Sequence, residues 1–328
     1  MTKSRIIDMA LKGWGKLEEA ITSYDKAIEF KLDQDKVWYN QGNTLSELGK
    51  LEEAIASYDR ALELKPDKDE AWYKRGNALS DLGRLEEAIA SYDRALEFNP
   101  EDDTTWYNRG LALSELGRLE KAIANYDKAL EFNPENDAAW NNRGIALKDL
   151  GRLEAAIASY DQALELKPKD NGAWYNRGVA LYELGRLEKA IASYDRALEC
   201  NLEDDEAWYN RGNALYELEK LEAAIASYNR ALELKPDKHG AWYNRGIALY
   251  ELGKLEEAVS SYKQAIKFNP NYDGIWNNLG IALKDLGRIE EAIASYDQAI
   301  ELNPDDNTPR YNKACCYELQ SNKQQRIY

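Results

Sequence analysis

A 34-residue period runs through this chain and restricts its fold more than any bulk property does. The stretch Ala71 to Pro100, AWYKRGNALSDLGRLEEAIASYDRALEFNP, returns at that spacing. Trp72 recurs as Trp38, Trp106, Trp140, Trp174, Trp208, Trp242 and Trp276, and Gly76 keeps the same step from Gly42 to Gly280. Ala88 and Tyr92 recur in register. A proline closes most units, at Pro66, Pro100, Pro134, Pro168, Pro236, Pro270 and Pro304. A fixed period of this size marks an array in which each unit is one supersecondary motif and its neighbours complete its core.

Within a unit the apolar positions fall in two helical stripes. Trp72, Gly76, Leu79 and Leu82 form the first, and Leu85, Ala88, Ile89, Tyr92, Ala95 and Leu96 the second, both at the spacing of an amphipathic helix. Gly83 stands where the first helix ends, because glycine accepts the left-handed turn that follows a helix. Asn99-Pro100 ends the second, since proline cannot continue a helix and restricts the residue before it. Small residues at Gly76, Ala88 and Ala95 allow the two helices to approach closely. Each unit is a helix–turn–helix.

Trp72, Arg75-Gly76, Leu79, Ala88, Tyr92, Ala95 and Pro100 together resemble the tetratricopeptide repeat family, with arginine where that family usually has leucine. The resemblance covers residues 35–306 as eight units, and it implies an all-α, right-handed α-solenoid of about one superhelical turn. Residues 1–34 read as a worn first unit, with Ser4 in the tryptophan place and Asp8 in the glycine place, while Leu11, Gly15, Leu17, Ala20, Tyr24 and Ala27 match. A terminal unit lacks a neighbour on one side, so wear there is expected; a piece of a longer array would look the same. Residues 307–328 match one further first helix, Asn307–Gln320, that caps the stack, and then a polar tail.

Two departures fall at turns. Leu202 replaces a closing proline and Glu219 a mid-unit glycine, so a slight change of local twist is expected, without a break. A third feature concerns packing. Arg75, Arg109, Arg143, Arg177, Arg211 and Arg245 precede the recurring glycine, and Asp59, Asp93, Asp127, Asp161 and Asp195 follow the recurring tyrosine. Leu279 replaces the arginine just after the one unit whose acid has become Lys263. Pairing each arginine with the acid of the preceding unit avoids setting Arg245 against Lys263. Bridges Asp59–Arg75, Asp93–Arg109, Asp127–Arg143, Asp161–Arg177 and Asp195–Arg211 are therefore predicted.

The net charge of −16 over 328 residues disfavours nucleic acid, which needs a basic footprint, and favours partners with basic segments. Three cysteines suggest no disulfide framework and fit a reducing, cytoplasmic setting. No apolar run approaches a membrane span, and no secretory leader is read at the N-terminus. His239, the lone histidine, has no cysteine beside it, so no metal or other cofactor is expected, and no phosphate loop or catalytic constellation appears.

In the family the first helices line a concave groove, so the resemblance places binding on their leftover face. Asparagine recurs there at Asn40, Asn108, Asn142, Asn176, Asn210, Asn244, Asn278 and Asn312, although it is a mediocre helix former. Its amide both donates and accepts, which suits a peptide backbone, and the row looks like the asparagine ladder of O-GlcNAc transferases. The same asparagines could equally bond within the array. Beside them runs a tyrosine row that includes Tyr175, Tyr209 and Tyr243. Further along, Ser46, Ser80 and Ser114 give way to Lys148, then to Tyr182, Tyr216 and Tyr250, so a roomier aromatic side-chain pocket is expected in units five to seven. An acid recurs at the groove edge, from Glu47 to Asp285, favouring ligands that carry lysine or arginine. The carboxylate clamp of chaperone-binding members needs lysines and arginines where tyrosines and asparagines stand here, and is rejected. The expected function is a non-catalytic scaffold holding an extended peptide of a protein partner. The alternatives are a self-assembly module stacking through its ends or convex face, or the non-catalytic part of a larger enzyme such as a glycosyltransferase.

Overall fold

The computed structural model describes residues 17–325, which form eighteen α-helices and no strand. They are α1 (Leu17–Glu29), α2 (Gln34–Glu47), α3 (Leu51–Leu64), α4 (Asp69–Asp81), α5 (Leu85–Phe98), α6 (Asp103–Glu115), α7 (Leu119–Phe132), α8 (Asp137–Asp149) and α9 (Leu153–Leu166). They continue as α10 (Asn171–Glu183), α11 (Leu187–Cys200), α12 (Asp205–Glu217), α13 (Leu221–Leu234), α14 (His239–Glu251), α15 (Leu255–Phe268), α16 (Asp273–Asp285), α17 (Ile289–Leu302) and α18 (Thr308–Gln325). Two compact units divide between Pro168 and Lys169, α1–α9 in one and α10–α18 in the other. Inside each, a first helix packs on the second helix of its repeat, and that second helix on the first helix of the next. The architecture is an all-α solenoid.

At the chain start, Ser4, Asp8, Leu11 and Gly15 lie outside the described residues. From Leu17 the expected second helix is regular and buries Ala20, Tyr24 and Ala27. At the other end α18 packs on α16 and α17 but runs to Gln325, past the expected stop at Gln320. No proline or glycine interrupts Ser321 to Gln325, so nothing in the backbone chemistry halts it.

Each first helix ends on a left-handed residue whose hydrogen bonds close the helix. Gly83, at φ +73°, donates its N–H to the Ser80 carbonyl, and Arg84 donates to Leu79 at 2.9 Å, the paired bonds that satisfy orphan carbonyls. In unit six Glu219 adopts φ +58° and keeps both bonds, Glu219 to Tyr216 and Lys220 to Leu215. The turn is unbroken, as expected, but a side chain now occupies a region that costs L-residues about 1–2 kcal/mol. Glu219→Gly is expected to raise stability by about 1 kcal/mol in chemical denaturation, the relief of strain outweighing glycine's greater freedom when unfolded. Leu202 is similarly harmless, because what its position supplies is a carbonyl. The Trp208 indole N–H donates to Leu202 at 3.0 Å, as Trp72 does to Pro66 at 2.9 Å.

The core of a repeat is a glycine facing a tyrosine. Tyr58, Tyr92, Tyr126, Tyr160, Tyr194, Tyr228, Tyr262 and Tyr296 are all fully buried. A Cβ built on Gly76 would lie 2.5 Å from Cε1 of Tyr92, and every other glycine of that series meets its tyrosine equally closely. Leu79, Ala88 and Ala95 complete the seam, each at most 2% exposed.

Four of the predicted bridges lie within one compact unit or the other, and all four form. Arg75 reaches Asp59 at 2.6 Å, Arg109 reaches Asp93 at 2.7 Å, and Arg143–Asp127 and Arg211–Asp195 are both 2.6 Å. The fifth pair, Asp161–Arg177, falls on either side of the division between the two units. Each of these four guanidinium groups also does something unforeseen: Nη1 donates to a buried polar side chain of its own repeat, Arg75 to Ser91, Arg143 to Ser159 and Arg211 to Ser227 at 2.7 Å, and Arg109 to Asn125 at 2.9 Å. One arginine thus ties three helices. Where the acid is Asn229, Arg245 donates to its carbonyl at 2.6 Å, and Leu279 is buried beside Lys263 in the bridge-less position.

Candidate functional site

The face of the first helices carries the expected rows, and the rows are joined to each other. Asn108 donates an amide N–H to the Tyr73 hydroxyl at 3.0 Å, and Asn142 donates to Tyr107 at 2.8 Å. In the second unit Asn210 donates to Tyr175 at 2.9 Å, Asn244 to Tyr209 at 3.1 Å and Asn278 to Tyr243 at 3.0 Å. Each rung therefore links one repeat to the tyrosine of the repeat before it. The last rung replaces the phenol with an amide, Asn312 donating to the Asn277 carbonyl at 3.1 Å. Within its own repeat each of these tyrosines rests on the buried tyrosine, with centroids 6.1 Å apart for Tyr175–Tyr194, Tyr209–Tyr228 and Tyr243–Tyr262.

An asparagine amide has two donors and a carbonyl oxygen. Asn142, Asn210 and Asn278 use one N–H each, and their carbonyl oxygens take no partner among the described residues. Asn108 and Asn244 use both N–H groups, the second reaching Asn77 at 3.2 Å and Asn213 at 2.9 Å. All five are half-buried, as are Asn40 and Asn176. Asn40 lines a cavity of about 290 Å³ with Tyr24, Tyr39, Lys68 and Glu70.

Asn43, Asn77 and Asn213 had no assigned part, yet they accept the hydroxyl protons of the buried Tyr58, Tyr92 and Tyr228 at 2.9, 2.8 and 3.0 Å. Their signal was visible: asparagine follows the recurring glycine in these three repeats, where the others carry leucine, isoleucine or valine.

Tyr182, Tyr216 and Tyr250 form a second series in the second unit. Each hydroxyl donates to the edge acid of the next repeat, Tyr182 to Glu217, Tyr216 to Glu251, and Tyr250 to Asp285 at 2.6 Å. Burial followed by the carboxylate acceptor pushes Tyr216 up to about 12, and the Asp285 carboxylate followed by burial does the same to Tyr250. Both phenols stay neutral donors at neutral pH. A cavity of about 250 Å³ opens between Tyr182, Tyr216, Glu217, Asn244 and Ile247, no larger than the one beside Asn40. Elsewhere on the edge Lys148 meets Asp149 at 2.9 Å and Lys284 meets Asp285 at 3.7 Å. Among the described residues no helix is long and apolar enough to cross a membrane.

No curated protein sequence matches the chain. Among solved structures it is similar to YrrB, described as a TPR protein with an unusual peptide-binding site. The two are 28% identical over 58% of this chain and 97% of YrrB, with a TM-score of 0.53. The C-terminal part of a TPR repeat-containing protein from Cytophaga hutchinsonii shares the fold at 18% identity and a TM-score of 0.64, over 73% of this chain and 98% of its own. A tetratricopeptide repeat protein from Parabacteroides merdae does so at 21% identity and a TM-score of 0.55, over 76% of this chain and 99% of its own. Family models described as tetratricopeptide repeat match residues 9–34, 39–103, 107–171, 143–205 and 275–306, and one described as TPR repeat matches 212–253 and 247–287. With paired helices, a glycine–tyrosine seam in each repeat and these matches along its length, the chain belongs to the tetratricopeptide repeat family.

Proposed function

We propose that this protein is a non-catalytic interaction scaffold that holds an extended segment of a partner protein along the face of its first helices. The observation that carries the reading is the repeating asparagine–tyrosine rung. Internal bonds fix the half-buried Asn142, Asn210 and Asn278 through one N–H each and leave their carbonyl oxygens without a partner among the described residues, so a backbone N–H of the ligand meets an acceptor that is already ordered. Pre-ordering removes part of the entropic cost of association. Neighbouring helices pack about 8–10 Å apart and an extended chain rises about 3.3 Å per residue, so one rung meets roughly every third residue of the ligand. The edge acids add a preference for basic segments. A peptide-binding site in YrrB is consistent with this reading.

Fluorescence anisotropy of unstructured basic and neutral peptides tests it, against wild type and Asn142/Asn210/Asn244/Asn278→Ala, with circular dichroism confirming that both are folded. Each bond contributes about 0.5–1.5 kcal/mol, so binding is expected to weaken at least tenfold in the variant. Equal affinity for both proteins would remove the ladder. Absent peptide binding together with a mass that grows with concentration would favour self-assembly.

A further inference from the structure

Resting on the peptide reading above, we propose that the second unit selects a segment in the polyproline II conformation carrying lysine or arginine at positions i and i+3. Glu217 and Glu251 would each receive one cation.

Three features of this surface set it apart from the rest of the acidic edge. First, Glu217 and Glu251 each accept a tyrosine hydroxyl on one carboxylate oxygen, Oε1, from Tyr182 and Tyr216. The other oxygen points to no lysine or arginine among the described residues, whereas Asp149 and Asp285 already face Lys148 and Lys284. Second, the phenols orient the carboxylates without neutralising them, since burial and the acid acceptor keep both protonated. Third, the cavity beside Glu217 is lined by the rings of Tyr182 and Tyr216 and by Ile247. At about 250 Å³ it lies below the ~300–1,000 Å³ of small-molecule sites but has room for one amino-acid side chain. A lysine or arginine suits it on every count: an apolar stem against Ile247, a cation over a tyrosine face, and a charge-assisted bond to the carboxylate.

Spacing decides the conformation. Glu217 ends α12 and Glu251 ends α14, first helices of successive repeats that touch each other. Helix packing sets their separation at about 8–10 Å. A β-strand places i and i+2 on one face, about 6.6 Å apart, and turns i+3 away. Polyproline II repeats every three residues and rises about 3.1 Å per residue, so i and i+3 share a face at roughly 9 Å. Only the second matches the interval.

The experiment uses labelled dodecapeptides of Pro/Ser-rich background with two lysines at i and i+3, two lysines at i and i+2, or glutamine at both positions. Each is titrated against wild type, Glu217→Gln/Glu251→Gln and the charge-matched control Glu120→Gln/Glu222→Gln. Glutamine still accepts the phenol proton, so the site keeps its shape. The i,i+3 peptide is expected to bind wild type and the control about fivefold or more tighter than the i,i+2 peptide, and to lose that advantage in Glu217→Gln/Glu251→Gln. Equal affinity of the two lysine peptides, or equal losses in both double variants, would overturn the inference and leave only general attraction to an acidic surface. A glutamine peptide that binds wild type as tightly as the i,i+3 peptide would also overturn it, while the groove reading stands. No binding by any peptide would count against both.

Discussion

Tyr92→Ala is expected to lower stability by about 3–5 kcal/mol, the range for emptying an aromatic site in a packed core. Tyr92 is 1% exposed and wedged between helices α4 and α5, so the surroundings cannot collapse without separating them. Gly76→Leu is expected to cost about 1–3 kcal/mol for the opposite reason, since any Cβ there lies 2.5 Å from a ring that has nowhere to swing. The double variant Gly76→Leu/Tyr92→Ala restores volume to the seam and should cost clearly less than the sum of the two. A coupling of at least 1 kcal/mol is expected in a double-mutant cycle by chemical denaturation. Because an array can unfold in pieces, the slope of the transition must be checked alongside its midpoint. Additive losses would mean that the glycine is required by something other than the ring.

Arg143→Leu is expected to cost about 2 kcal/mol. The guanidinium bonds both the Asp127 carboxylate and the buried Ser159, and bonds to charged groups contribute about 1.5–3 kcal/mol each when well shielded. Asp127 is half exposed, so solvent screening reduces its share to roughly 0–1 kcal/mol. Ser159 keeps its bond to the Ala155 carbonyl at 3.0 Å, so no buried hydroxyl is orphaned. The eighth repeat shows the alternative solution, Leu279 packed beside Lys263. Arg143→Leu/Asp127→Lys transplants that pair, and the long lysine stem can cover the new leucine. The double variant should recover about half of the loss. Failure to recover any of it would mean that the exchange in the eighth repeat is unrelated to the bridge.

Much of this was legible in the primary structure, for a physical reason. A glycine that must face a ring and a proline that must end a helix leave marks that repetition amplifies. The arginine bridges were readable because one exception, Leu279 after Lys263, broke the symmetry between two pairings. Their serine partners were not readable: Ser91 and Ser159 look like any small residue on a packed stripe. The asparagine–tyrosine rungs were hidden differently. Asn108 stands beside Tyr107 in the chain but bonds Tyr73, 35 residues away, so two rows that look parallel are cross-linked by the stacking offset. The tyrosine–acid pairs, Tyr182 with Glu217 among them, have the same offset and were hidden in the same way. Helix α18 outran its expected end because a polar composition says nothing about where a helix stops.

Hydrogen exchange of the protein with and without a saturating lysine-bearing peptide tests the central claim most directly. The account predicts added protection in the first helices α12, α14 and α16, where the Asn210, Asn244 and Asn278 rungs lie, with the second helices unchanged. Protection confined to the second-helix ends, where Phe98, Phe132 and Phe268 are exposed, or absent at saturation, would contradict it.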